Sequence, residues 1–125
     1  MNSWKFFQFG ELVEFAPKVS LKRGLAYPFI EMERINPSGR YVQSNVTRLY
    51  ANSGSSKFLT GDVLMARITP CLENGKIAQV QGLYGNEGFG STEFFVFRAK
   101  NNKLDKDFLY YLVKSDLVWK SAVNS

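Results

Sequence analysis

The stretch FLTGDVLMARITPCLENGKIAQV, Phe58 to Val80, decides the fold. Gly61-Asp62 is a turn signal, and Val63, Leu64, Met65, Ala66 and Ile68 then make a short apolar run. A run of that length between turn signals reads as a strand buried on both faces. Arg67 is the one charge inside it. Thr69-Pro70 ends the strand, because proline has no N–H to give to a ladder. Asn74-Gly75 supplies the positive φ of a tight turn, and Lys76 to Val80 returns as the partner strand. The expected unit is a hairpin with a buried stem and a polar tip carrying Arg67, Thr69, Glu73, Asn74 and Lys76. Such a tip suits recognition better than packing.

Before the hairpin, Trp4, Phe6, Phe7 and Phe9 crowd the N-terminus, with Leu12, Val13 and Phe15 behind them. Their spacing fits neither structural period, and a short turn or helix covering one end of the core is expected rather than a platform for stacked bases. Pro17 to Gly24 reads as a basic loop and Tyr27 to Ile35 as a strand. Asn36-Pro37-Ser38-Gly39 is a turn, Val46 to Tyr50 a short strand, and Asn52 to Ser56 a flexible loop.

Beyond the hairpin, Gly82, Gly85, Gly88 and Gly90 punctuate a turn-rich crossing. Phe94-Phe95-Val96-Phe97 reads as another strand buried on both faces. Asp105 is placed to cap a helix, Asp107 adds negative charge to its first turn, and Phe108, Leu109, Leu112, Val113, Trp119 and Ala122 recur at helical spacing. The fold class expected is mixed α/β: a small, twisted, largely antiparallel sheet with hairpins and a C-terminal helix. At 125 residues, with 45% apolar residues, one domain spanning 1–125 with a packed core is expected.

Composition narrows the chemistry. There is one cysteine, Cys71, so no internal disulfide can form, and there is no histidine. The absence of histidine removes Ser-His-Asp and Cys-His nucleophile activation and the commonest zinc ligand. No signal peptide or long apolar run is evident, which makes the cytoplasm the default setting and a membrane partner unexpected. The net charge is +5, and its whole excess lies between Lys18 and Lys57. That stretch holds Lys18, Lys22, Arg23, Arg34, Arg40, Arg48 and Lys57 against Glu31 and Glu33. Charge concentrated this way fits a polyanion-binding face as well as an ordinary solvated surface.

Asp62, Glu73 and Lys76 invite comparison with a metal-dependent nuclease. That chemistry wants Glu and Lys two apart on one strand face, whereas Glu73 and Lys76 are separated by the Asn-Gly turn. Gly85, Gly88 and Gly90 precede a strand rather than a helix, so they do not form a phosphate cradle. Methyltransferase motifs are missing too, both an Asn/Asp-Pro-Pro-aromatic tetrapeptide and a Phe-x-Gly-x-Gly loop. Glu93, beside four apolar residues, is expected to be partly buried and paired, with Arg67 the favoured partner.

Gly61 to Lys76 resembles the central motif of target recognition domains in the specificity subunit of type I restriction-modification enzymes. Gly88 to Phe94 resembles the second block of that family, Asp107 to Leu112 the start of its helix, and Tyr27 to Ile35 its early strand. The resemblance covers nearly the whole chain. It implies a DNA-reading domain without catalytic residues, metal or cofactor. In that family two such domains, joined by long helices, each read half of a split target. They direct methyltransferase subunits, and a restriction subunit when present, to it. The chain ends at Ser125 without a second such domain or the long spacer helix. It is therefore expected to be a half-subunit, a fragment or a truncated frame, with a second copy or second recognition domain as a partner.

On that resemblance, Lys18, Lys22, Arg23, Arg48 and Lys57 are expected to neutralise phosphates of double-stranded DNA. Arg67, Thr69, Asn74, Lys76, Ser91 and Thr92 are expected at loop tips near the groove. Two other classes stay open: a carboxylate- and metal-dependent nuclease using Asp62, Glu73 or Glu93, and a protein-interaction module presenting the aromatics.

Overall fold

The computed structural model describes residues 11–51, 54–67, 76–100 and 105–114. Among the described residues nine strands form two sheets, and a helix follows the last of them. The first sheet has the order β1-β9-β6-β7-β3, built from β1 (Val13–Phe15), β9 (Phe94–Ala99), β6 (Val63–Ala66), β7 (Ile77–Val80) and β3 (Tyr41–Val42). The second has the order β4-β2-β8-β5, built from β4 (Val46–Leu49), β2 (Ala26–Ile30), β8 (Glu87–Gly90) and β5 (Ser56–Leu59). All pairings are antiparallel except β3 with β7 and β2 with β8. The mixed class and largely antiparallel pairing expected from the sequence hold, with the strands divided between two sheets.

The paired stem forms, but β6 ends at Ala66, leaving Arg67 outside the strand, and β7 begins at Ile77. Val63 faces Gln79, Leu64 faces Ala78 and Met65 faces Ile77 across β6 and β7, and every residue of both strands is buried. The reason is the two-residue period of a strand. Leu64 and Ala66 enter one core with Ile30, Phe58, Phe94 and Val96, between the two sheets. Val63 and Met65 enter another with Val13, Phe97, Leu109 and Val113, beneath the helix α1 (Lys106–Lys114). The first sheet is thus the middle of three layers. The tip from Ile68 to Gly75, with Thr69, Glu73 and Asn74, lies outside the described residues, as do Trp4 to Phe9, Trp119 and Ala122.

Five local expectations change. Val13 and Phe15, expected in a short turn or helix, lie in strand β1, paired with β9. Tyr27 to Ile35 is a strand only to Ile30, and Met32–Arg34 turns as a 3-10 segment that buries Met32. Ser56, expected in a flexible loop, opens strand β5. The glycine-rich crossing contains strand β8, because Gly88 and Gly90 sit where side chains would collide. A Cβ on Gly90 would stand 2.6 Å from the Ile30 carbonyl oxygen and 3.0 Å from the Phe94 ring. On α1, Leu109, Tyr110 and Val113 are buried while Phe108 is exposed. The cap is as expected: Asp105 Oδ1 accepts from the N–H of Asp107 at 2.7 Å and of Phe108 at 3.3 Å.

Candidate nucleic-acid interface

A concavity begins where the chain leaves β1. Ala16 adopts φ +46°, a conformation uncommon for a residue with a side chain, and its N–H donates to the Val96 carbonyl at 2.9 Å. The residues that follow, through Ser20, line a cleft of about 700 Å³ together with Gly54 to Lys57, Phe94 to Phe97, Arg67 and Thr92. Four of the sequence-derived candidates meet here: Lys18, Lys57, Arg67 and Thr92.

Lys22 and Arg23 lie on the same loop, just beyond the cleft. The loop is fixed by the Lys22 N–H donating to the Tyr27 hydroxyl at 2.9 Å and the Gly24 N–H to the Tyr50 carbonyl at 2.9 Å. Lys57 Nζ stands 5.6 Å from the centre of the Tyr50 ring, which brings the loop and the cleft wall together. Ser91 shapes the turn that presents Thr92, its hydroxyl accepting from the Glu93 N–H at 3.0 Å.

Arg48 and Lys76 are outside the cleft lining. Arg48 donates to Glu31 at 2.6 Å and covers the Phe29 ring at 4.3 Å. Lys76 Nζ donates to the Met32 carbonyl at 3.4 Å. Two more arginines of the basic stretch also serve the fold. Arg34 donates to the Gln43 carbonyl. Arg40 joins the buried Gln79, Asp107 at 3.0 Å and the Tyr111 hydroxyl, tying α1 to the first sheet.

Arg67 does not pair with Glu93 in the way expected. Its backbone N–H donates to the Glu93 carbonyl at 2.8 Å, while its guanidinium lies 4.9 Å from the centre of the Phe95 ring. The physical reason is position: Arg67 falls one residue past β6 and is exposed, so its charge needs no buried partner. The buried pair is instead Asp62 with Arg98, bidentate at 2.8 Å on each oxygen, and Asp62 Oδ2 also accepts from the Leu59 N–H at 2.8 Å. Burial pushes the Asp62 carboxyl above its ordinary value, against the pull of Arg98 and the Leu59 N–H.

Asp62 is therefore occupied by the fold. Among the described residues no cluster of three or more Asp, Glu or Cys is placed to hold a metal ion. The sequence reading passed over Phe95 and Ala16. Alternation along β9 separates Phe95 from Phe94, but which face meets a cleft depends on segments far away in the chain.

No family model matches the sequence. The chain is 29% identical over 117 residues to the type I restriction enzyme EcoEI specificity subunit of Escherichia coli, and 38% identical over 69 residues to the EcoAI specificity subunit of the same species. These matches cover 91% and 55% of the chain, and the chain spans only 20% and 12% of the two relatives. In fold it is similar to the HsdS subunit of Thermoanaerobacter tengcongensis, with a TM-score of 0.62 at 25% identity over 78% of this chain and 25% of that one. A structure from a study of complex assembly and conformational transition in a type I R-M system matches in fold with a TM-score of 0.65 at 22% identity, over 91% of this chain and 32% of that one. Among the described residues no helix is long and apolar enough to cross a membrane. The chain's likeness, in sequence and in fold, is to a target recognition domain within the specificity subunit of a type I restriction enzyme.

Proposed function

We propose that the chain recognises a sequence on double-stranded DNA as the specificity component of a type I restriction-modification system. In that role it directs methyltransferase and restriction subunits to the target and performs no chemistry itself. It works as one recognition domain, half of a specificity subunit, in the cytoplasm where the DNA is. The observation that carries this reading is the cleft that gathers Lys18, Lys57, Arg67 and Thr92 in a chain whose relatives are named specificity subunits.

Lys18, Lys22, Arg23 and Lys57 supply the phosphate contacts that set orientation on the duplex, and Arg67, Ser91 and Thr92 lie at the groove. Thr69 and Asn74, outside the described residues, join these DNA contacts in this reading. Arg48 and Lys76, held by Glu31 and the Met32 carbonyl, serve the fold.

Binding of a labelled random-sequence duplex, titrated over a series of salt concentrations, tests this. The logarithm of the binding constant should fall linearly with the logarithm of salt. The Lys18→Ala/Lys57→Ala variant should flatten the slope by about 0.9 for each phosphate that is no longer neutralised. Arg48→Ala should leave it unchanged. A slope untouched by the double variant would place the DNA face elsewhere. Absence of duplex binding at every salt concentration would overturn the reading.

A further inference from the structure

The described residues include six arginines, and four of them have their N–H donors engaged by the protein. Arg34 donates to Gln43, Arg40 to Gln79 and Asp107, Arg48 to Glu31, and Arg98 to Asp62. Arg67 is held differently. It lines the cleft, and its guanidinium lies over the Phe95 ring at 4.9 Å with no carboxylate or carbonyl bonded to it among the described residues. Its backbone is fixed by the bond to the Glu93 carbonyl, and Phe95 is itself anchored against the core beneath α1.

A guanidinium held by its face keeps its planar edge of N–H donors unspent. Stacking also limits the orientations of a long side chain, so less freedom is lost when a partner is met. An edge of two parallel donors matches the two acceptors that guanine, O6 and N7, presents in the major groove. A phosphate could be met equally by a lysine and would need no such platform. We infer that Arg67 is the guanine-reading side chain of this domain and that Phe95 is its positioning residue. This inference rests on the DNA-recognition reading above and adds to it the base and the atoms read.

The test takes the duplexes that the wild-type chain selects from a random pool. It compares wild type, Arg67→Lys, Arg67→Ala and Phe95→Leu on them, with melting temperatures recorded alongside. At one G·C position, wild type should prefer guanine by roughly 5- to 150-fold. Arg67→Ala should abolish that preference and Arg67→Lys should lose most of it, because an ammonium keeps the charge but not the fork. Replacing that guanine by 7-deazaguanine should weaken wild type and leave Arg67→Ala unaffected. Phe95→Leu should reduce the preference while binding to random competitor duplex stays level. A uniform loss on all sequences for Arg67→Ala would assign Arg67 to a phosphate and overturn the inference, as would an unchanged preference. Wild type that selects a site with no Arg67-dependent guanine overturns this inference alone. Wild type that binds no duplex overturns the functional proposal with it.

Discussion

Asp62 and Arg67 flank β6 and meet opposite fates. Asp62 is 2% exposed and bound by Arg98 and a backbone N–H, whereas Arg67 is exposed and touches an aromatic face. Arg67→Ala should therefore cost no more than about 1 kcal/mol in chemical denaturation, the scale of an exposed cation–π contact. A loss of several kcal/mol would reveal a buried ion pair instead.

For Asp62 the sign follows from burial. Its folded carboxyl is raised above the ordinary 3.8, so the folded state holds that proton more tightly than the unfolded chain. Its contribution to stability is fullest below 3.8 and is lost as pH rises through the raised value. Asp62→Asn cannot titrate. The unfolding free energy of wild type minus that of Asp62→Asn should decline as pH rises from below 3.8 through the raised value. A rising difference would mean that Arg98 outweighs desolvation. At this scale the sequence makes residue types legible but not partners. Asp62 is visible as a turn acid, but Arg98 reaches it only because β6 and β9 pair.

Among the elements, the β6–β7 stem was legible except at its end, since the apolar run and the turn signals agree while Arg67 falls just past β6. Strand β8 was not, because two of its four residues are glycine, which carries no strand signal. The glycines are there for space. Gly90→Ala would force a Cβ to within 2.6 Å of the Ile30 carbonyl oxygen and against Phe94. It should cost about 1–3 kcal/mol or more, as overpacking does, read as a lowered denaturation midpoint. A neutral result would show that β2 and β8 can separate freely. The 3-10 turn at Met32–Arg34 was hidden because Glu31 and Glu33 alternate with Ile30 and Met32 as a half-exposed strand would.

In the whole molecule, the first sheet separates two cores, and the cleft is assembled from segments around residues 15–20, 54–57, 67 and 92–97. The basic stretch was legible as composition. Its division between structural arginines and cleft lysines was not, because Glu31, Gln79 and Asp107 find their arginines only after folding. The two parallel pairings, β2 with β8 and β3 with β7, likewise leave no local signature. Because segments far apart in the chain build one basic, arginine-bearing cleft, a surface that reads duplex sequence there stands or falls on the fold as a unit. The most direct measurement is selection by the purified chain from a pool of random duplexes at near-physiological salt, followed by sequencing of the bound fraction. The expected result is enrichment of one short motif, abolished when Lys18, Lys57 and Arg67 are replaced together by alanine. A bound fraction indistinguishable in sequence from the starting pool would contradict it.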